Sequence, residues 1–173
     1  GCGIKMSKSE NLFRQVVERL GIPVLTTWKG CDLVSDDHPL FLGRPGTAGQ
    51  RGANFVQQNA DLILALGARL DFGQIGYDHE TFARDARKIV VDIDPLEFAK
   101  FKFTVDVPVV ADAASFLEEL LRQSGLRQLP VWNDWLDRCR GWKERYPMVL
   151  PEYLQKPEYV STHLLDDTIS TLL

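Results

Sequence analysis

Residues 60–70 read Ala60-Asp61-Leu62-Ile63-Leu64-Ala65-Leu66-Gly67-Ala68-Arg69-Leu70, and the five apolar residues Leu62 to Leu66 decide the fold. A strand with one face in water alternates apolar and polar residues, whereas this run is apolar without interruption. It therefore predicts a strand covered on both faces, as in a parallel sheet. A second run of the same kind, Lys88 to Asp94 ("KIVVDID"), follows a stretch Thr81 to Arg87 that reads as helical. A third, "VPVVAD", ends at Asp112 and leads into a predicted helix from Ala113 to Gln123, carrying Phe116, Leu117, Leu120 and Leu121. Strand and helix in alternation with short connections predict an α/β fold, an open doubly wound parallel sheet of Rossmann-like architecture.

Towards the N-terminus the same alternation holds. Ser7 and Glu10 have capping-box spacing, and Leu12, Phe13, Val16, Val17 and Leu20 form one apolar helical stripe. Gly21 stands where a left-handed cap belongs, and Ile22 to Thr27 ("IPVLTT") reads as a short buried strand. A loop rich in glycine, proline and aspartate leads to a helix from about Gln50 to Asn59. Pro95 suits the first position of a short helix. These elements make residues 1–125 one domain. Trp132, Trp135, Leu136, Cys139 and Trp142 then recur at helical spacing, and a proline-bearing connector completes 126–160. Residues 161–173 read as the start of a further unit. The opening "GCGIKMS" lacks the strand that usually precedes such a turn, and "STHLLDDTISTLL" stops inside a helical pattern. Both ends read as cut from a longer polypeptide.

Bulk properties narrow the function classes. Of 173 residues, 20 are basic and 24 acidic, a net charge of −4 that offers no broad footprint for nucleic acid. Runs such as Ile63 to Gly67 are too short to span a bilayer, and no signal peptide is visible. Cys2, Cys31 and Cys139 are too scattered for a disulfide framework or zinc site; reduced thiols in a cytoplasmic protein are expected. His38, His79 and His163 have no nucleophile or metal-ligand partners in the pattern, and His38 beside Pro39 reads as a turn residue. No GxSxG, Walker A or CxxC motif occurs, so catalytic and metal-binding residues are expected to be none.

Candidate ligand residues gather instead after strands, where open α/β sheets bind their ligands. Gly1 and Gly3 precede a helix, which suits either a phosphate or a close backbone approach. Gly43, Gly46, Gly49 and Gly52 recur every three residues with Arg44 and Arg51 between them. That loop reads equally as a pyrophosphate cradle or as a tight turn with solvated arginines. Arg69 and Asp71 follow the central strand, either orienting a ligand or forming a surface pair. Asp92 and Asp94 end the next strand, where a carboxylate can accept from a ribose hydroxyl or cap the helix that follows.

In this order the segments "GCGIKMS", "GIPVLTT" with its following Lys29-Gly30, "DHPLFLG", the glycine loop, "ADLILALGARLD", "KIVVDIDP" and "DVPVVAD" resemble the central domain of thiamine-diphosphate enzymes of the acetolactate synthase type, large catalytic subunit. The resemblance covers residues 1–125. It implies a three-domain parent that decarboxylates a 2-oxo acid and joins the product to an acceptor. Thiamine diphosphate and Mg²⁺ lie across a subunit interface of a homodimer or homotetramer. In that family the N-terminal domain supplies the activating glutamate and the C-terminal domain a GDG metal motif. No GDG occurs here, so this chain alone is expected to be catalytically silent. In that family acetolactate synthases hold FAD in this domain, oxalyl-CoA decarboxylases hold ADP and many members leave the site empty or altered; the resemblance implies a possible FAD or ADP site with contacts at Gly1, Gly3, the Gly43–Gly52 loop, Arg69, Asp71, Asp92, Ile93, Asp94 and Asp112. One segment departs from the pattern. Where similar synthases read "GARFDDRVTG", Phe72 and Gly73 replace the second acidic residue and its arginine. Two other classes remain open, a ligand-free structural or oligomerisation module and an NAD-consuming deacylase. "GCGIKMS" is similar to the glycine turn of sirtuins, but their zinc cysteines and catalytic histidine motif have no counterpart.

Overall fold

The computed structural model describes residues 1–155 and 158–172; Lys156, Pro157 and Leu173, which fall within the connector and final-unit assignments, lie outside the described residues. Helix α1 (Gly3–Met6) and α2 (Glu10–Leu20) open the chain, and α3 (Arg51–Gln58) precedes strand β1 (Leu62–Leu66). There follow α4 (Phe72–Ile75), β2 (Arg87–Asp92), α5 (Leu96–Ala99), β3 (Val107–Val110), α6 (Ala113–Gly125), α7 (Asn133–Arg145) and α8 (Thr162–Leu172). The strands form a parallel sheet in the order β1-β2-β3, with Leu66 opposite Val91 and Asp92 opposite Val110.

The uninterrupted apolar runs are explained by what covers each face. Leu64, Leu66 and Val91 join Phe13, Val16 and Val17 of α2 and Leu117 of α6. The alternate residues Ile63, Ala65 and Val90 turn to the opposite face, against Leu70, Ile75, Phe82 and Ala83. Side chains cover both faces, which is why the runs stay apolar through their middle. A third cluster, Leu42, Val56 and Cys139 with Trp135 and Trp142 beside it, packs α7 onto α3. Pro108 is tolerated in β3 because that strand lies at the end of the sheet order.

Three local expectations are corrected. Ile22 to Thr27 is not a strand of the sheet; it makes one isolated parallel bridge, Val24 with Phe41, through Val24 N–H to Leu40 O (2.7 Å) and Leu42 N–H to Val24 O (2.9 Å). Its other edge has no strand to pair with among the described residues. Thr81 to Arg87 is not helical. A 3₁₀ turn at His79–Thr81 gives way to Ala83 at φ 41°, whose N–H is taken by Gln58 Oε1 (2.7 Å), and Arg87 already belongs to β2. The capping box does not form. Helix α2 begins after Ser9, while the hydroxyls of Ser7 and Ser9 both reach Ile4 O, closing the turn of α1. Gly21 does cap α2 at φ 61°, its N–H on Val17 O.

Leu117 is wholly buried at the centre of the first cluster. Leu117→Ala is expected to cost about 2–5 kcal/mol of unfolding free energy, read as a lowered urea midpoint at unchanged slope. An unchanged midpoint would contradict the packing described.

Candidate functional site

The carboxyl ends of β1, β2 and β3 open side by side, and the loops leaving them carry most of the candidate residues. After β1 the chain turns through Gly67 at φ 50°, then through Arg69 and Leu70 at φ 53° and 47°. Two consecutive non-glycine residues in the left-handed region are costly, roughly 1–3 kcal/mol each, and persist only where surroundings hold them. Here Lys100 of the segment after α5 donates to Arg69 O and pairs with Glu97, whose other oxygen lies 3.3 Å from Arg69 Nε. Leu70 is held by burial against Phe82 and Ile75. The Arg69 side chain remains 70% exposed at the rim.

After β2, the Asp92 carboxylate accepts from Asp94 N–H (3.1 Å) and the Asp94 carboxylate from Leu96 N–H (2.9 Å). Each carboxylate thus fixes the turn into α5 and retains a second oxygen. Ile93 between them is 70% exposed. After β3, Asp112 caps α6 by accepting from Ala114 N–H (2.8 Å), and Ala111 N–H bonds Asp92 O (3.1 Å). Arg69, Asp92, Ile93, Asp94 and Asp112 therefore line one edge. Asp71 starts α4 at that same end of β1, its carbonyl accepting from Gln74 and Ile75 N–H.

Gly1 and Gly3 meet this edge from below. Gly3 N–H donates to Gly67 O (3.0 Å), and a Cβ on Gly3 would stand 2.7 Å from Gly67 Cα. A Cβ on Gly1 would stand 2.3 Å from Ala68 Cα. These two glycines allow backbone to lie on backbone, with no room for a phosphate between them. The Gly1 nitrogen donates to Leu66 O at 2.8 Å.

The glycine loop is closed upon itself. The N–H groups of Arg44, Gly46, Thr47, Gly49 and Gln50 go to Gln50 Oε1, Asn54 Oδ1, Gly73 O, Gly46 O and Arg44 O. Gly46 at φ 136° approaches Gly73, and a Cβ there would lie 2.4 Å from Gly73 O. Gly43 and Gly49 accommodate the loop's own atoms, and Gly52 faces Trp142 O of α7. Arg44 is paired with Asp36 at 2.5 Å and Arg51 stacks on Tyr146 at 4.6 Å. Among the described residues no group of three or more His, Cys, Asp or Glu is placed to hold a metal ion.

A family model for the thiamine pyrophosphate enzyme central domain matches residues 1–120. The chain belongs to that family. It is 35% identical over 165 residues to the acetolactate synthase large subunit of Corynebacterium glutamicum, covering 92% of this chain and 26% of that protein. A probable acetolactate synthase large subunit of Methanococcus aeolicus is 38% identical over 123 residues, 71% of this chain and 20% of its own length. The large subunit of Cyanidium caldarium is 35% identical over 155 residues, 87% of this chain and 26% of that one. The chain thus spans about a quarter of the length of these curated relatives.

Within this central domain, Glu97, Lys100 and Gly67 were not singled out from sequence. A glycine directly after a buried strand was a usable signal for Gly67; the Glu97 and Lys100 contacts depend on a tertiary approach across the sheet edge. Cys139 of α7 is fully buried, and burial pushes its thiol up to about 12. It should resist a thiol reagent at pH 8 until the chain unfolds, while exposed Cys31 reacts at once. Equal rates at both would contradict the packing of α7.

One stability result is expected. Gly3→Ala forces backbone apart at Gly67 and should cost about 1–3 kcal/mol in chemical denaturation; a neutral effect would contradict the contact.

Proposed function

We propose that this central domain serves an acetolactate-synthase-like enzyme that decarboxylates a 2-oxo acid and joins the product to an acceptor, as a cytoplasmic homodimer or homotetramer. The names of its relatives support that reading. Thiamine diphosphate, with its Mg²⁺, supplies the electron sink for such chemistry when bound. The family resemblance assigns that group to other domains of the parent, and on that ground the chain alone is given a non-catalytic role. The alternative parent is a related 2-oxo acid decarboxylase that uses this domain for assembly only.

The domain's own contribution is a site for FAD or ADP at the strand ends. The observation that carries this is the pair Asp92 and Asp94, each with an oxygen left over beside exposed Ile93 and the exposed Arg69 guanidinium. The carboxylates suit ribose hydroxyls, Arg69 suits a phosphate, and Ile93 suits the flat face of a ring. Arg69 releases Glu97 to do so, and Lys100 keeps Glu97 paired. Phe72, half exposed and tilted against Tyr77 with ring centroids 4.3 Å apart, offers an apolar face where the pattern of the resemblance carries charge.

The ligand-free reading is favoured by one specific observation, that the glycine loop spends its amides on itself. Thermal unfolding with FAD and with ADP separates the two. Ligand at about 100 times its Kd stabilises by about 2.7 kcal/mol, and Asp94→Asn should weaken the binding about tenfold while leaving the ligand-free Tm unchanged. Absence of a shift with either ligand at millimolar concentration would favour the structural module.

A further inference from the structure

A nucleotide offers a protein three chemistries: a flat ring, ribose hydroxyls that donate and accept, and phosphates that call for cations or free N–H groups. The strand ends serve these unequally. On the loops leaving β1, β2 and β3 (residues 67–71, 92–95 and 111–112) the charged side chains are Asp71, Asp92, Asp94, Asp112 and a single cation, Arg69. Carboxylate oxygens accept from ribose hydroxyls but repel a phosphate.

Donors for an anion are spent elsewhere. Helix starts that follow strands commonly hold phosphates on their N–H groups. Here Leu96 N–H, at the start of α5, bonds the Asp94 carboxylate (2.9 Å), and Ala114 N–H, at the start of α6, bonds that of Asp112 (2.8 Å). A carboxylate thus takes the amide that a phosphate would use. Gly3 N–H is on Gly67 O, and the glycine loop keeps its amides for itself. Lys100 serves Arg69 O and Glu97, while Lys5 and Arg44 of the two glycine segments pair with Asp32 (2.6 Å) and Asp36 (2.5 Å). At Gly73, where the pattern of the resemblance carries arginine, a Cβ would meet only Asp71 Oδ1, at 3.3 Å. What remains is the Arg69 guanidinium, 70% exposed, whose planar fork matches one phosphate.

We infer that the strand-end site selects a nucleoside carrying a single phosphate and discriminates against the diphosphate of FAD or ADP. The inference rests on the strand-end reading and narrows its ligand. Ile93 takes the ring, Asp92 and Asp94 the ribose hydroxyls, and Arg69 the one phosphate. A second phosphate finds no donor and enters a field dominated by carboxylates, which acts over ~10 Å at 0.1 M salt. The residues present therefore fit the nucleoside half of these cofactors and do not fit their diphosphate.

Isothermal titration of the chain with adenosine, AMP, ADP and ATP tests this. AMP should bind at least as tightly as ADP, and about tenfold more tightly than ATP at about 20 mM salt, with the gap to ATP narrowing at about 0.5 M. Gly73→Arg supplies the missing cation at a position with room for it. That variant should tighten ADP about tenfold and AMP less than about threefold. ADP binding more tightly than AMP to the unaltered chain would overturn the inference and leave a strand-end site for FAD or ADP standing. Equal tightening of AMP and ADP by Gly73→Arg would also contradict it. Absence of binding by all four compounds, checked by thermal shift, would remove the strand-end site and the inference with it.

Discussion

Where Gly3 lies on Gly67, two backbones meet with no side chain between them, and much of the site depends on that approach. A Cβ on either residue would stand 2.7 Å from the other's Cα. The contact seats the N-terminal turn beneath the loop that leaves β1, so α2 starts at the sheet edge and returns across one face. It also fixes the base of the loop in which Arg69 and Leu70 are held left-handed. Without it, the strand ends would lose a wall and α2 its anchor.

A division of labour follows. The glycine loop, whose composition suggests a phosphate cradle, directs its amides inward to Gln50, Asn54 and Gly73. Its glycines serve packing, with Gly46 against Gly73 and Gly52 against α7. The groups open to solvent lie instead on the short turns after β1 and β2, where carboxylates fix the backbone and still present an oxygen outward. Strain at Arg69 and Leu70 is held by Lys100, Glu97 and the burial of Leu70.

The sheet was legible in the sequence because burial on both faces leaves a local trace, an apolar run unbroken by alternation. The same holds for Gly21, which ends α2 in the left-handed conformation only glycine adopts freely, and for Asp112 ahead of α6. Ile22 to Thr27 has the composition of a strand, but a strand is a pairing as well as a composition, and one of its edges has no strand to pair with among the described residues. Thr81 to Arg87 has helical composition, yet Gln58 captures the N–H of Ala83 and diverts the chain. Ser7 has the spacing of a cap but bonds backward to Ile4. Around the proposed site, the positions of Asp92, Asp94 and Arg69 just after strands were readable. Glu97 and Lys100 were not, since their role exists only once β1 and β2 lie side by side.

The most direct measurement of the central contact is native-state hydrogen exchange at the amides of Gly3 and Gly67, which bond Gly67 O and Val91 O at 3.0 Å each. If the glycine pair anchors the fold, both amides should exchange only through global unfolding, with protection equal to that of the β2 amides and the same denaturant dependence. Exchange of Gly3 through local fraying, at a rate independent of denaturant while β2 stays protected, would contradict the account.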